Sequence, residues 1–223
     1  EEKIKMLTGL QKGLVSIGSS ETALHLLLLL VLKEFKETHP NIRIRIQNHL
    51  TSQAVESVKQ GLVDFAVVAS PADIPAYLKV YSLMQFQDIL IGGNSFSNLS
   101  YESLSIKDIY SYPLVCLGER TMTYRFYDEF YRSNHLILKP EFEAATTDQI
   151  LPMVKNNLGL GFFPEKMARQ SLASGEICQI HLHETIPYRE IFLVENKERS
   201  LPIAAEALKE ILIQYSENSL LPG

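Results

Sequence analysis

The stretch that most constrains the fold runs from Gly13 to Phe35, with the sequence GLVSIGSSETALHLLLLLVLKEF. It begins as a short apolar strand, turns at Gly18 and continues through polar residues into a long apolar helix, for which Ser19 or Ser20 is a suitable N-cap. A strand that passes through glycine into a capped helix leaves free N–H groups at the turn. These groups and the helix dipole favour anions. The alternative is that the two serines only cap the helix.

The helix in this stretch is more apolar than one sheet requires. Seven apolar residues run without a break from Leu26 to Leu32, which is too short for a bilayer span of about 20 residues. One apolar stripe is enough for packing on a sheet, and that stripe comprises Leu24, Leu27, Leu28, Val31 and Phe35. The remaining residues, Leu26, Leu29, Leu30 and Leu32, are then expected to point elsewhere. We expect a second copy of the chain to cover them in a homodimer.

Composition sets outer limits on the function. The 223 residues are 46% apolar and 21% charged, which is typical of globular chains with one large or two small domains. The net charge is −5 and Lys and Arg form no runs, which argues against nucleic-acid binding by this chain alone. Cys116 and Cys178 lie far apart and form no motif, and no signal peptide or membrane span stands out. We therefore expect a cytoplasmic protein, from which an N-terminal portion has been removed because the chain starts at Glu1.

Strand and helix patterns alternate along the chain. The run IRIRIQ (42–47) alternates strictly and predicts a strand, whereas the Ser- and Asn-rich segment 94–105 has little periodicity and predicts a boundary. Similar units follow that boundary, with strands predicted at 114–117, 141–144 and 160–163 and helices between them. This order predicts an α/β fold with mostly parallel sheets.

Four of the strand-to-helix turns carry hydroxyl groups, and they lie at residues 19–22, 51–53, 118–123 and 146–148. Ligands of open α/β sheets bind outside the carboxyl ends of the strands, where such turns collect. The turns therefore predict a site for a small carboxylate or another oxyanion, with Arg120, Arg125 or His49 as charge partners. The alternative is four ordinary helix caps.

No pattern in the sequence predicts catalysis, a metal site or a cofactor. Cys178, His181 and His183 do not have a strong zinc spacing, and no G-x-S-x-G nucleophile elbow occurs. Glu21 either satisfies the dipole of the first helix or recognises a cationic group of an amphoteric ligand.

At the level of whole segments, the chain resembles the effector-binding part of LysR-type transcriptional regulators. The segments that carry the resemblance are GLVSIGSSETALHLLLLLVLKEFKETHPNIRIRI (13–46), SQAVESVKQGLVDFAVV (52–68), YPLVCLG (112–118), TTDQILPMVKNNLGLGFFP (146–164) and REIFLVENKERSLPIAAEALKEIL (189–212). Their order and spacing are specific, although no single motif is diagnostic. Asn157 departs from the family pattern, which often has glycine there.

The resemblance implies two Rossmann-like subdomains with a hinge, in the manner of type 2 periplasmic binding proteins. Subdomain I would comprise residues 13–93 and 189–223, subdomain II residues 94–188, and residues 1–12 the end of a linker helix. Crossing strands near Gly92-Gly93 and Pro187-Tyr188 would form the hinge. The effector would bind in the cleft between the subdomains, at Ser19, Ser20, Thr51, Thr121, Thr147, Gly161 and Phe162.

The resemblance also implies partners. They are a small-molecule effector, a second copy in a homodimer, a tetramer in the full-length protein, and promoter DNA bound only through an N-terminal winged helix-turn-helix domain. That domain is missing from these 223 residues. Two other functions remain open on the same fold, namely a solute-binding protein of a transporter and a small-acid dehydratase or transferase.

Overall fold

The computed structural model describes the backbone of residues 13–219 and the side chains of residues 13–216. The predicted end of a linker helix, residues 1–12, lies outside the described residues. In chain order the elements are β1 (Gly13–Ser19), α1 (an α-helical turn Glu21–Ala23, a π-helical segment Leu24–Leu28 and an α-helix Leu29–Thr38), β2 (Ile42–Asn48), α2 (Thr51–Gln60), β3 (Phe65–Ala69), β4 (Leu78–Phe86), β5 (Asp88–Gly93), a 3-10 helix (Asn94–Ser100), β6 (Leu114–Leu117), α3 (Met122–Ser133), β7 (Phe142–Ala144), α4 (Thr147–Lys155), β8 (Leu160–Pro164), α5 (Glu165–Ala173), β9 (Ile177–Ile180), β10 (Arg189–Asn196) and α6 (Ile203–Ser219). The predicted α/β fold with two subdomains is confirmed.

Within the described residues, the first unit comprises 13–85 and 190–219. Its sheet has the strand order β2-β1-β3-β10-β4, in which β1 pairs in parallel with β2 and β3, and β10 pairs antiparallel with β3. Because β1, β2 and β3 are parallel, their carboxyl ends meet at one edge of the sheet. The turns that enter α1 and α2 follow β1 and β2 at this edge.

The structure corrects one part of the prediction for the first long helix. Leu29 and Leu30 are 47% and 55% exposed, as their predicted position outside the sheet-facing stripe requires, but Leu26 is buried together with Leu27 and Leu28. The π-helical segment explains the difference. The Leu29 N–H bonds to the Leu24 carbonyl five residues back, and this wider turn lets three consecutive leucines pack inside. Helix α6 also contacts α1, so the chain itself covers part of this helix.

The second unit spans Phe86–Arg189 and contains a sheet with the order β7-β6-β8-β5-β9. Strand β6 is parallel to β7 and β8, whereas β5 is antiparallel to β8 and β9. Both sheets are therefore mixed rather than mostly parallel. The unit also begins at Phe86, not after Gly93 as the composition suggested, because the hydrogen bonds of β5 go to two strands that come much later in the chain.

Helices cover both faces of the second sheet. Alternate residues of β6 enter opposite cores, since Leu114 and Cys116 pack in one cluster and Val115 and Leu117 in the other. This two-sided burial explains why the strands are almost continuously apolar. Strand β3 begins only at Phe65, and residues 106–111 form a series of turns.

Candidate functional site

In the first unit, three of the residues predicted to bind the effector meet at the carboxyl ends of the parallel strands. Ser20 Oγ accepts hydrogen bonds from the Ala69 N–H (3.1 Å) and from an N–H of the first turn of α1 (3.4 Å). Thr51 Oγ1 donates to the Ala69 carbonyl (3.2 Å), and the Ser19 carbonyl accepts from the His49 N–H (2.9 Å). The ends of β1, β2 and β3 are thus joined in one polar cluster.

The hydroxyl groups of this cluster are not equivalent. Ser19 donates its proton to the Ser20 carbonyl (3.0 Å), and Thr51 donates to Ala69, so both protons are used within the unit. Ser20 acts as the N-cap of α1, in agreement with the capping alternative. Its own proton has no acceptor among the described residues. Ser20 is therefore the hydroxyl of this cluster with a donor left for a ligand.

Glu21 ties the start of α1 to the end of β2. Its Oε1 lies 2.8 Å from His25 Nε2, and its Oε2 accepts a hydrogen bond from Asn48 Nδ2 at 2.5 Å. Both carboxylate oxygens are therefore engaged locally, in the first turn of the helix, where a negative charge is favourable. This geometry favours the dipole interpretation of Glu21 over recognition of a ligand.

In the second unit, the corresponding edge holds the starts of α3 and α4. Thr121 caps α3, since its Oγ1 accepts from the Tyr124 N–H (3.0 Å) and donates to the Gly118 carbonyl (2.9 Å). Thr147 is the first residue of α4, which follows β7 after a short turn. Asp88 begins β5 and pairs antiparallel with Pro164, the last residue of β8, so its side chain stands at this same edge.

A buried ion pair occupies this edge. Arg189 Nη1 lies 2.8 Å from Asp88 Oδ2, and these side chains are only 4% and 0% exposed. Tyr127 donates a short hydrogen bond to the same carboxylate oxygen, and Arg189 Nη2 donates to Thr123 Oγ1 at 3.0 Å. Burial, and after it the charge of Asp88, raises the pKa of Tyr127 well above its ordinary value. The phenol therefore stays protonated as a donor.

A small cavity of about 10 Å³ adjoins this ion pair. Its lining comprises Asp88, Val115, Cys116, Leu117, Thr123, Tyr127, Thr147, Ile150, Phe162, Pro164 and Arg189. Two residues predicted to bind the effector, Thr147 and Phe162, are thus brought together here, whereas Thr121 is not among the lining residues. The second oxygen of the carboxylate, Asp88 Oδ1, is buried and has no hydrogen-bond partner among the described residues.

The remaining predicted position, Gly161, has a packing role beside this cavity. A Cβ atom at Gly161 would lie 2.9 Å from a methyl group of Val154 and 3.0 Å from one of Ile150, so the missing side chain lets α4 approach β8 closely. Its neighbour Phe162 stacks on the ring of Tyr127, with ring centroids 4.5 Å apart. These contacts hold Ile150, Phe162 and Tyr127, all of which line the cavity.

Sequence reasoning missed Asp88, Tyr127 and Arg189. No local signal marks them, because the ion pair joins residues 101 positions apart and each fits an ordinary strand or helix pattern. Of the predicted charge partners, Arg120 and Arg125 are exposed and His49 is partly buried beside Gln47.

Within residues 13–219, no group of three or more His, Cys, Asp and Glu side chains is arranged to hold a metal ion. Within the same range, every helix is too short or too polar to cross a membrane.

Comparison with known sequences finds one matching domain family and relatives at low identity. The family model described as "LysR substrate binding domain" matches residues 8–217. A probable RuBisCO transcriptional regulator of Trichormus variabilis is 23% identical over 219 residues, covering 96% of this chain and 65% of the relative. The uncharacterized HTH-type transcriptional regulator YwqM of Bacillus subtilis is 24% identical and is covered to 71%, with 92% of this chain aligned. The chain thus spans about two thirds of the length of these relatives.

Solved structures share the fold at low sequence identity. The effector binding domain of QuiR in complex with shikimate has a TM-score of 0.82 at 16% identity, covering 94% of this chain and all of that one. The Synechocystis CcmR regulatory domain in complex with 2-PG has a TM-score of 0.81 at 13% identity, with 93% and 99% covered. The family match covers nearly the whole sequence, and the chain belongs to the LysR substrate-binding domain family.

Proposed function

We propose that this chain is the effector-sensing domain of a LysR-type transcriptional regulator and that it binds a small anionic ligand. The observation that carries the proposal is the family match over residues 8–217. The relatives named as transcriptional regulators extend well beyond the region that this chain matches. Promoter DNA is then bound by a further domain of the full-length protein, and this chain reports whether the effector is present.

The chemistry of the strand ends supports a small anion as the effector. Each unit places the beginnings of two helices at one sheet edge, where backbone N–H groups and the helix dipole favour negative charge. Ser20 retains a hydroxyl donor in the first unit, and Arg120 is an exposed cation in the turn before α3. The fold neighbours QuiR and CcmR hold shikimate and 2-PG, both of them small anions.

The proposed mechanism is a shift between conformations rather than catalysis. A ligand that binds one conformation better shifts the population toward it by its difference in affinity, and the change is passed to the DNA-binding domain. The relatives are named as regulators, which favours this function over a solute-binding protein or a small-acid enzyme. Turnover of a bound small acid in an activity assay would contradict the proposal.

We further propose that the domain works in the cytoplasm as a homodimer, and as a tetramer in the full-length protein. Leu29 and Leu30 expose adjacent apolar side chains on α1. Burying two leucine side chains at an interface contributes about 1.5–3 kcal/mol each. The C-terminal helix covers another part of α1 and leaves these two side chains in contact with solvent.

A thermal-shift screen tests the proposed function. The compounds are small carboxylates, amino acids and inorganic oxyanions, and a true effector raises the melting temperature in a concentration-dependent way. We expect Thr147→Val to weaken binding of the identified compound about three- to tenfold, because one hydrogen bond is lost, without unfolding the domain. Thr185→Val, an exposed threonine of the same unit, is the matched control. An unchanged affinity in Thr147→Val removes Thr147 from the site.

A further inference from the structure

The carboxylate of Asp88 is satisfied on one side only. Its Oδ2 receives hydrogen bonds from Tyr127 and Arg189, whereas its Oδ1 receives none. Among the side chains that the structure describes, it is the one buried polar atom without a partner. Leaving an ionised oxygen buried and unpaired is costly, and nearly all such groups in proteins have a partner. Asp88 Oδ1 therefore requires a donor that the described residues do not supply.

The space next to Asp88 limits what that donor can be. The adjoining cavity of about 10 Å³ is at the lower limit for one water-sized group, so a single hydroxyl or amino group fills it. The cavity lies where β6 and β8 end, which is the edge at which ligands bind in α/β sheets. Thr147, at the start of α4, borders the same space.

The charges around the cavity distinguish a donor from an anion. The positive charge of Arg189 is balanced by Asp88 and its second nitrogen is bonded to Thr123, so this corner presents an acceptor and no net positive charge. A ligand carboxylate oxygen would be repelled by Asp88 Oδ1. An O–H or N–H group instead forms a charge-assisted hydrogen bond, which is among the stronger kinds in proteins.

We propose that Asp88 Oδ1 accepts a hydrogen bond from a hydroxyl or ammonium group of the effector, which makes Asp88 a specificity-determining residue of the site. The inference rests on the proposed function and narrows it. The effector is then a small acid that also carries a hydrogen-bond donor, and only the donor enters the cavity. The acid group remains outside, at the starts of the helices.

Three probes of nearly equal size test this inference, namely propionate, lactate and alanine. They carry hydrogen, a hydroxyl and an ammonium group at the same carbon. Binding is followed by NMR of methyl-labelled protein, using the methyl groups of Thr147, Val115 and Ile150, all of which line the cavity. We expect the dissociation constant of lactate or alanine to be about tenfold lower than that of propionate, since the lost bond is to a charged acceptor. A preference for lactate identifies a hydroxyl and a preference for alanine an ammonium group.

Two results would overturn the inference. Equal affinities for all three probes would mean that the cavity holds only water, although the proposed function would stand because small acids still bind. No response of the cavity methyl groups to any probe would overturn it as well. The proposed function would then be judged separately by the thermal-shift screen, which does not depend on Asp88.

The variant Asp88→Asn provides the second arm. The amide of asparagine carries no negative charge, and it can also turn an N–H group toward the cavity. The preference for lactate or alanine over propionate should therefore disappear. Asp128→Asn, which makes the same change in an ion pair with Arg132 on α3, is the matched control and should retain the preference. If Asp88→Asn does not fold, the comparison of the three probes on the native protein still decides. A preference that survives in folded Asp88→Asn would overturn the inference.

Discussion

Replacing Arg189 by methionine should destabilise the second unit strongly. The native side chain forms a 2.8 Å bond to Asp88 and a 3.0 Å bond to Thr123, and its guanidinium lies 5.0 Å and 5.3 Å from the ring centres of Phe86 and Phe126. Methionine retains part of the packing between the rings but leaves a buried carboxylate without its cation. Breaking a buried ion pair in this way costs about 3–5 kcal/mol.

This loss can be measured by urea or thermal unfolding followed by circular dichroism. At a shift of about 2–4 °C per kcal/mol for a chain of this size, we expect the melting temperature to fall by roughly 6–20 °C. Arg169→Met is the matched control, because its 3.5 Å pair with Glu165 is exposed and contributes at most about 1 kcal/mol.

A double variant separates the charge from the packing. Asp88→Leu combined with Arg189→Met removes both charges, so it should be clearly more stable than Arg189→Met alone. The reasoning is refuted if Arg189→Met costs no more than Arg169→Met, or if the effects of the two changes simply add.

The other predictions concern the helix surface, a buried thiol and a tight packing contact. Leu29→Glu should shift the dimer toward monomer in light scattering, whereas Leu62→Glu, at a leucine that is even more exposed, should not; an unaltered oligomer in both would remove Leu29 from the interface. Burial raises the pKa of Cys116 to about 12 from an ordinary 9.0. The Cys116 thiol therefore ionises at a lower pH in the unfolded chain than in the folded chain, and the free energy of unfolding falls as the pH rises above 9. Between pH 8 and pH 10 the native protein should lose about 1.4 kcal/mol more than Cys116→Val, measured by urea unfolding, and equal losses would contradict this. Gly161→Ala should cost about 1–3 kcal/mol because its Cβ enters the side chains of α4, while Gly118→Ala meets only a flexible carboxylate at 3.3 Å and should cost less; equal costs would argue against tight packing at α4.

Much of the fold is encoded in local patterns that the sequence shows directly. The alternation in 42–47 and the capped apolar helix after Gly18 predicted β2 and α1 because side-chain periodicity is a property of neighbouring residues. The burial of Leu26 was not predictable in this way. It depends on a π-helical segment that shifts the apolar stripe by one residue, and regular periodicity contains no sign of it.

The hydroxyl-bearing turns were found from sequence because they follow strands and precede helices. Two of these turns meet in the first unit, where Ser20 and Thr51 both bond to Ala69, and in the second unit Thr147 lines the cavity together with Phe162 of β8. The sequence could not assign β5 to the second unit, since a strand has no preference for a partner until the sheet forms. Nor could it reveal Asp88 and Arg189, which are unusual only because they form a buried ion pair with each other. Pairing of distant charges, and the unpaired oxygen left beside the cavity, arise only when burial removes water from both side chains, and the tertiary structure alone determines which residues are buried together.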